Sequence, residues 1–429
     1  MPLFQFRRTE SIYMPAKPKR VKHIALAVPL DIVYIERLLP GILEFARQQG
    51  GWVFTRVPER LSSSIEWLRG WQGDGAFVLT TSREDARIAR SLPFPVVNVG
   101  GYLLDSRIPT VTVDQQMIGR MGAEHLLARR FRRFGFYGSS DLWYSQQRRA
   151  GFQSAIEASG NQCEVLEVPS MLESPRKWSR GRDELAAWLL SLQPPVGIMA
   201  SWDLRAGMVV EASARVGLRV PEEIAVIGVD NDPVACEFSI PQLSSVSRND
   251  KELGRQAAVL LAQLIEGKRP PTAPILIPPD GVVPRRSTET LAIEDPVVAL
   301  VVEKIRDHLG EVFGVERILS LTSLSRRQLE QRFLKSVGSA PCAFINELRV
   351  GRAKQLLTQP NKQSLSKIAA ECGFSELRQF RQVFRRLTNA SPAEYRRQAF
   401  CNPCAQGAGP HILPLIPQTR AFEVARKHG

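Results

Sequence analysis

Residues 365–384 read LSKIAAECGFSELRQFRQVF, and SPAEYR follows at 391–396. Apolar residues fall at helical spacing up to Ala370, break at Gly373 and resume beyond Phe374. The expectation is a short helix, a tight turn at Gly373 and a second helix capped by Ser375. Phe380, Val383 and Phe384 then share one apolar face, opposite Arg378, Arg381 and Gln382. In SPAEYR, Ser391 precedes a Pro at the first helical position and Glu394 at the third, the sequence form of a capping box. The layout occurs twice. Residues 315–333, VERILSLTSLSRRQLEQRF, place a turn at Ser323, Leu324 after it, and Ser325 with Gln328 as another capping box. Leu329 and Phe333 form the apolar face here, and Arg326, Arg327, Glu330 and Gln331 are left to solvent. Both segments read as helix-turn-helix units.

Cys342–Thr358 between them has helical pattern, about 25 Å long at 1.5 Å per residue. A stiff spacer of that size can hold two recognition helices about 34 Å apart, in successive major grooves of B-DNA. Gly351 interrupts it, at a cost of about 1 kcal/mol relative to Ala. Charge agrees with a polyanion partner. The 429-residue chain has a net charge of +14, and residues 296–397 hold 18 Lys/Arg against nine Asp/Glu. Residues 1–22 add six against one, whereas 23–295 carry a net −2. A basic block beside a bland middle suits a nucleic-acid reader attached to a neutral sensor.

Upstream the pattern changes. HIALAVP (23–29), GAFVL (75–79), PVVNVG (95–100), FGFYG (134–138), VGIMA (196–200) and IAVIGVD (224–230) are short, nearly continuous apolar runs. Such strands are buried on both faces, and the amphipathic stretches between them make a βαβ series. The expected organisation is a basic arm (1–21), a sensor (22–286), a polar linker (287–295), the helical block (296–397) and a tail (398–429). Within the sensor, one lobe is expected at 22–138 with 244–274, the other at 139–243 with 275–286.

Several classes are excluded. No run of 18 apolar residues exists, and the N-terminus lacks the apolar stretch of a secretory signal, so the expectation is a cytoplasmic protein without membrane contact. A solute receptor for transport would need export. No Gly-rich phosphate loop, nucleophile elbow or His triad appears, so no catalytic residues, and no enzyme, are expected. The six cysteines are scattered; the lone CxxC of Cys401 and Cys404 is a weak signal, and neither metal nor cofactor is expected.

The block at 296–397 resembles the AraC-type DNA-binding domain, on IA…CGF, F…VF and SPAEYR. The resemblance implies base reading by Arg327, Glu330 and Gln331 in the first unit and by Arg378 and Gln382 in the second, with Arg381 near the backbone. Arg can grip guanine and Gln adenine in the major groove. Arg326, Arg332, Lys335, Arg385 and Arg386 are expected on phosphates, and Leu377 on a thymine methyl.

Residues 22–286 resemble the sensor core of LacI-type repressors and periplasmic sugar receptors, on Val113-Asp-Gln-Gln, Arg148-Arg-Ala-Gly-Phe152, Ala200-Ser-Trp-Asp203 and Ile227-Gly-Val-Asp-Asn-Asp232. The implied fold is a two-lobed, periplasmic-binding-protein-like α/β sensor followed by an all-α domain with two helix-turn-helix units. Ligands bind at the C-terminal strand ends of such sheets. Arg148 and Asp230 are candidates to grip sugar hydroxyls, or to form a structural ion pair. Asp203 and Asp114 touch ligand or cap helices. Asn231, Trp202, Trp143 and Tyr144 line the site or pack in the core. A LacI-like sensor ahead of an AraC-type reader implies a regulator, an activator of genes for catabolism of xylose or a related pentose. Its expected partners are double-stranded operator DNA, a small sugar effector, a second copy in a homodimer and, for an activator, RNA polymerase. Tyr34-Ile35 departs from the pattern, which carries an acidic residue after the Tyr, and leaves room for a different small-molecule effector.

Overall fold

The computed structural model describes residues 20–56, 64–169, 175–290, 292–293, 295–312, 314–320, 322–358 and 363–401. In chain order the sensor elements are β1 (Lys22–Ala27), α1 (Val33–Gln49), β2 (Trp52–Thr55), β3 (Gly75–Val78), α2 (Arg83–Ser91), β4 (Val96–Asn98) and β5 (Val111–Val113). Next come α3 (Gln115–Leu127), β6 (Arg133–Ser139), α4 (Trp143–Ala158), β7 (Gln162–Val168), α5 (Pro175–Ser191), β8 (Val196–Ala200), α6 (Asp203–Arg215) and β9 (Ile224–Val229). Then follow α7 (Pro233–Phe238), β10 (Ser244–Ser247), α8 (Asp250–Ile265), β11 (Ile275–Ile277) and β12 (Gly281–Val283). The rest is helical: α9 (Pro296–Asp307), α10 (Val315–Leu319), α11 (Arg326–Val337), α12 (Pro341–Thr358), α13 (Leu365–Glu371), α14 (Leu377–Thr388) and α15 (Pro392–Cys401). Residues 1–19 of the basic arm and residues 402–429 of the tail, Cys404 of the CxxC among them, fall outside the described residues.

The chain divides into two units. The first takes residues up to 113 and 249–277; the second takes 114–248 and everything from 278. In the first, β2-β1-β3-β4 form a parallel sheet, and β5 pairs in parallel with β11. In the second, the sheet runs β12-β10-β9-β8-β6-β7, parallel except for β12. VGIMA and IAVIGV lie at its centre with every residue buried, which is why they read as unbroken apolar runs. Two helix pairs approach closely through reciprocal glycines. A methyl at Gly119 would sit 2.0 Å from the Arg148 carbonyl oxygen, and one at Gly151 2.0 Å from that of Gln116, so α3 and α4 touch backbone to backbone. Gly41 and Gly254 do the same for α1 and α8.

The lobe boundaries expected from sequence are corrected by strand pairing. β6 lies in the second unit between β7 and β8, β10 pairs with β9, and β11 belongs with β5. The crossings therefore fall at 113/114, 248/249 and 277/278 rather than at 138/139, 243/244 and 274/275. A strand buried on both faces has the same composition in either sheet, so its sequence does not name its neighbours. The linker is corrected too. Ser287 and Thr288 are fully buried. The Ser287 hydroxyl donates to the Val226 carbonyl (2.5 Å) and accepts from the Ser244 N–H (2.8 Å). Thr288 bonds His125 Nε2 at 2.8 Å, and its carbonyl accepts from Arg129 Nε at 2.7 Å. Burial holds His125 well below the usual imidazole range and lowers Arg129 to about 10. Small hydroxyl residues read as linker because they are polar; here they are satisfied inside the lobe.

The helical block has two cores that share α12. Its first half, with Phe344 and Ile345, packs on Val301, Ile305, Leu329 and Phe333. Its second half, with Val350, Ala353 and Leu357, packs on Ile368, Phe374, Phe380 and Phe384. Each helix-turn-helix unit thus has its own core on one continuous rod.

Candidate effector site and nucleic-acid interface

In the first reading unit, Ser325 caps α11 through a complete box: Gln328 N–H donates to the Ser325 hydroxyl (3.4 Å) and Ser325 N–H to Gln328 Oε1 (2.9 Å). Leu329, Phe333 and Val337 face the core, which turns Arg326, Arg327, Glu330 and Gln331 to solvent. Arg326 is shared with acids, at 3.1 Å from Glu330 and 3.5 Å from Glu316. Arg332, expected on phosphate, is instead locked bidentately to Asp295 at 2.6 and 2.7 Å. Those bonds hold the Asp295 carboxyl below its usual range while it also caps α9.

In the second unit Gly373 takes the left-handed turn conformation, φ 77°, as the sequence requires. Arg378, Arg381 and Gln382 are exposed opposite Phe380, Val383 and Phe384. Two expectations are corrected. Glu376, not Ser375, is the N-cap residue of α14, and the Ser375 hydroxyl bonds Gln379 Oε1 at 3.1 Å. Leu377, expected on DNA, is half-buried against the second core. The box in SPAEYR is present, with Ser391 N–H to Glu394 Oε2 at 2.7 Å and Glu394 N–H to the Ser391 hydroxyl at 3.2 Å.

The sensor candidates converge in the second unit, at the C-terminal ends of β6, β8, β9 and β10. Arg148 is buried at 1% exposure. It donates to Gln115 Oε1 (2.8 Å), to the Ser201 carbonyl and to Asp230 Oδ1 (3.3 Å), and lies 4.9 Å over the Tyr144 ring. Asp230 also pairs with Arg248 at 3.5 Å. Trp202 joins the wall, 6.0 Å from Tyr144, with Arg205 stacked 4.5 Å over it.

The turn carrying Asp230 is held in an unusual shape. Asp230 and Asn231 both have positive φ, 101° and 49°, a conformation that L side chains resist. Three successive N–H groups hold it: Asp230 to the Val246 carbonyl (3.0 Å), Asn231 to the Ser245 hydroxyl (2.9 Å) and Asp232 to Asp203 Oδ2 (2.7 Å). Asp203 also accepts from the Ser245 hydroxyl at 2.7 Å. Burial, then the charge of Asp230, raises its pKa to about 7. Asp203 is thus neither a helix cap nor a free ligand group; it fixes the loop that presents Asp230. Asn231 Oδ1 accepts from Arg285 (2.8 Å), and Asp114 caps α3 through Met117 N–H (2.9 Å). Its neighbour Gln115 joins the Arg148 cluster.

Sequence reading missed Arg248, Gln115 and Arg205. Arg248 had a signal, since it directly follows β10 at a C-terminal strand end. Gln115 and Arg205 had none, because helical residues there read as ordinary cap and surface positions.

Residues 123–288 match the periplasmic binding protein-like domain family, and residues 319–398 match a helix-turn-helix domain family. The xylose operon regulatory protein of Escherichia coli (strain K12) is 29% identical over 382 residues, covering 87% of this chain and 96% of that protein. Its counterpart in Haemophilus influenzae is 28% identical over 380 residues, 87% and 97%. A structure of xylose-binding transcription activator xylR superposes with a TM-score of 0.66 at 27% identity, covering 89% of this chain and 99% of that one. The chain is a transcription regulator similar to the xylose operon regulatory proteins. A LacI family regulator from Mycobacterium smegmatis, TM-score 0.51 at 20% identity over 63% of this chain, shares the fold of the sensor. The regulator joins that sensor to a DNA-binding helix-turn-helix block, and among its described residues no helix is long and apolar enough to cross a membrane.

Proposed function

We propose that the regulator activates genes for use of xylose or a related pentose when that sugar binds in the sensor. The observation that carries the reading is the Arg148–Asp230–Arg248 cluster beside Tyr144 and Trp202, at strand ends, in a chain that ends in two DNA-reading units. A carboxylate flanked by guanidinium groups can take vicinal hydroxyls in paired hydrogen bonds, and aromatic faces suit the C–H side of a sugar ring. On this reading Arg148 and Asp230 touch the sugar, Trp202 lines the site, and Asp203, Asn231 and Asp114 act by holding it in shape. Arg327, Glu330, Gln331, Arg378 and Gln382 read bases, and Arg326 and Arg381 lie by the backbone.

The protein works in the cytoplasm as a homodimer on operator DNA, with RNA polymerase as its partner at the promoter. Leu204, Val234, Phe238 and Ile240 are large apolar residues exposed on the second unit, and they support pairing with a second copy. Helix α3 offers a route between sites: Gln115 at its start holds Arg148, and His125 at its end holds Thr288. Calorimetric titration of pentoses and hexoses, with and without operator DNA, tests the proposal. Xylose or a close relative should bind, and its affinity should change with operator by the factor by which it changes operator affinity. Identical sugar affinities in both titrations, or no sugar binding, would overturn it.

A further inference from the structure

A cavity of about 530 Å³ opens at the other end of the six-stranded sheet, where the sensor meets the first reading unit. Arg130, Arg132 and Arg133 line it from the α3–β6 connection and the first residue of β6, and Lys335 lines it from the last turn of α11. Among the described residues that line it there is no carboxylate. Leu127 gives it an apolar wall and Asn161 a polar rim. Among the described residues none of the four cations is ion-paired, although several other arginines of the second unit's sensor lobe are; Arg133 donates only to the Pro194 carbonyl, at 3.4 Å. Arg130 adopts a left-handed φ of 66° that reverses the chain. From there its Nη1 donates to the Ser336 carbonyl at 3.3 Å, and its guanidinium lies against Gly338, where a methyl would come within 2.2 Å of Nη2. A sensor residue thus reaches the C-terminal end of a recognition helix.

Four cations around one cavity repel each other, and an anion placed among them is attracted by all four. We infer that this cavity is a second effector site, for a small molecule carrying phosphate groups on an apolar or sugar body. It is separate from the sugar site: β6 runs from Arg133, at the cavity, to Ser139, at the sugar end, about 20 Å at 3.3 Å per residue. An anion held here touches the sensor through Arg130, Arg132 and Arg133 and the reader through Lys335. Its affinity therefore depends on how the two are apposed, and by linkage it changes operator affinity.

The test uses inorganic pyrophosphate with the full chain. Isothermal titration should show saturable binding to the wild type, weakened at least tenfold in Arg132→Ser/Arg133→Ser and, as a separate variant, in Lys335→Ser. Binding should be unchanged in Arg381→Ser on the second recognition helix. The thermal shift given by sugar should persist in the cavity variants, which separates failure of this site from failure of the sugar reading. Absence of saturable binding overturns the proposal. So does loss of binding in Arg381→Ser but not in the cavity variants, which would put the anion on the DNA-reading face. A salt slope of operator binding reduced by about 1 per cation removed, with no pyrophosphate binding, would assign the cavity to DNA phosphates instead.

Discussion

Arg148 and Asp230, 82 residues apart in the chain, bring Nη2 and Oδ1 to 3.3 Å inside the second sensor lobe. Arg148 is buried and also donates to Gln115 and the Ser201 carbonyl, both neutral, so Asp230 and whatever binds beside it govern its charge balance. Asp230→Ala should lower sensor stability by about 2 kcal/mol, the scale of a hydrogen bond to a charged group. It should also abolish the thermal shift given by sugar, with sugar-free operator binding intact. Differential scanning fluorimetry and a gel-shift titration measure both; a variant with a normal sugar response would remove Asp230 from the site.

Asp203 makes stability depend on pH. Its folded pKa, about 7, lies above its ordinary value of 3.8, so the folded state binds the proton more tightly. The stabilisation is complete below about pH 4 and is lost as pH rises through 7, with a limiting slope of about 1.4 kcal/mol per pH unit. Asp203→Asn keeps an acceptor for Asp232 N–H and cannot ionise. Denaturant unfolding should therefore show wild type losing stability relative to the variant between pH 5 and pH 8. Parallel curves would mean that Asp203 is ionised throughout.

Two glycines in helices should respond oppositely to alanine. At Gly119 the new methyl meets the Arg148 backbone at 2.0 Å, so α3 and α4 must separate and the second lobe should lose about 1–3 kcal/mol. At Gly351, within α12, nothing lies within 4 Å, and alanine should add up to about 1 kcal/mol through helix propensity. Thermal melts of both variants decide; a destabilised Gly351→Ala would reveal a neighbour at that face.

Arg378 and Arg332 should separate base reading from scaffolding. Arg378→Ala should weaken operator binding by about 1–3 kcal/mol and relax preference at one base pair, with little effect on random DNA. Arg332 is engaged by Asp295 across a partly exposed surface, so Arg332→Ala should cost less than about 1 kcal/mol of stability and leave the salt slope of DNA binding unchanged. A slope reduced by about 1 in Arg332→Ala would return that residue to the phosphates.

Local patterns carried the helix-turn-helix units without help from the rest of the chain. The spacing of Phe380, Val383 and Phe384, the turn at Gly373 and the boxes at Ser325 and Ser391 are short-range: every interaction they predict lies within a few residues. The centre of the second sheet was legible for a similar reason, since VGIMA and IAVIGV can sit only where both faces are covered. By itself, then, the sequence determined the main helices and strands, the helices of the helix-turn-helix units and their exposed faces, and the strand end at which Asp230 stands.

Tertiary structure alone decided the partnerships. Nothing in β6 or β11 names the sheet it joins, because burial on two faces selects apolar residues whatever the neighbour. Arg332 found Asp295 across 37 residues, and Thr288 found His125 across 163. Arg248 and Gln115 entered the effector cluster from elements distant in the chain. Each of these is a charged or hydroxyl group that the chain could equally have left in water. Its partner was fixed only when the packed sheets and helices brought the two within hydrogen-bonding reach and excluded the water that would otherwise have satisfied it.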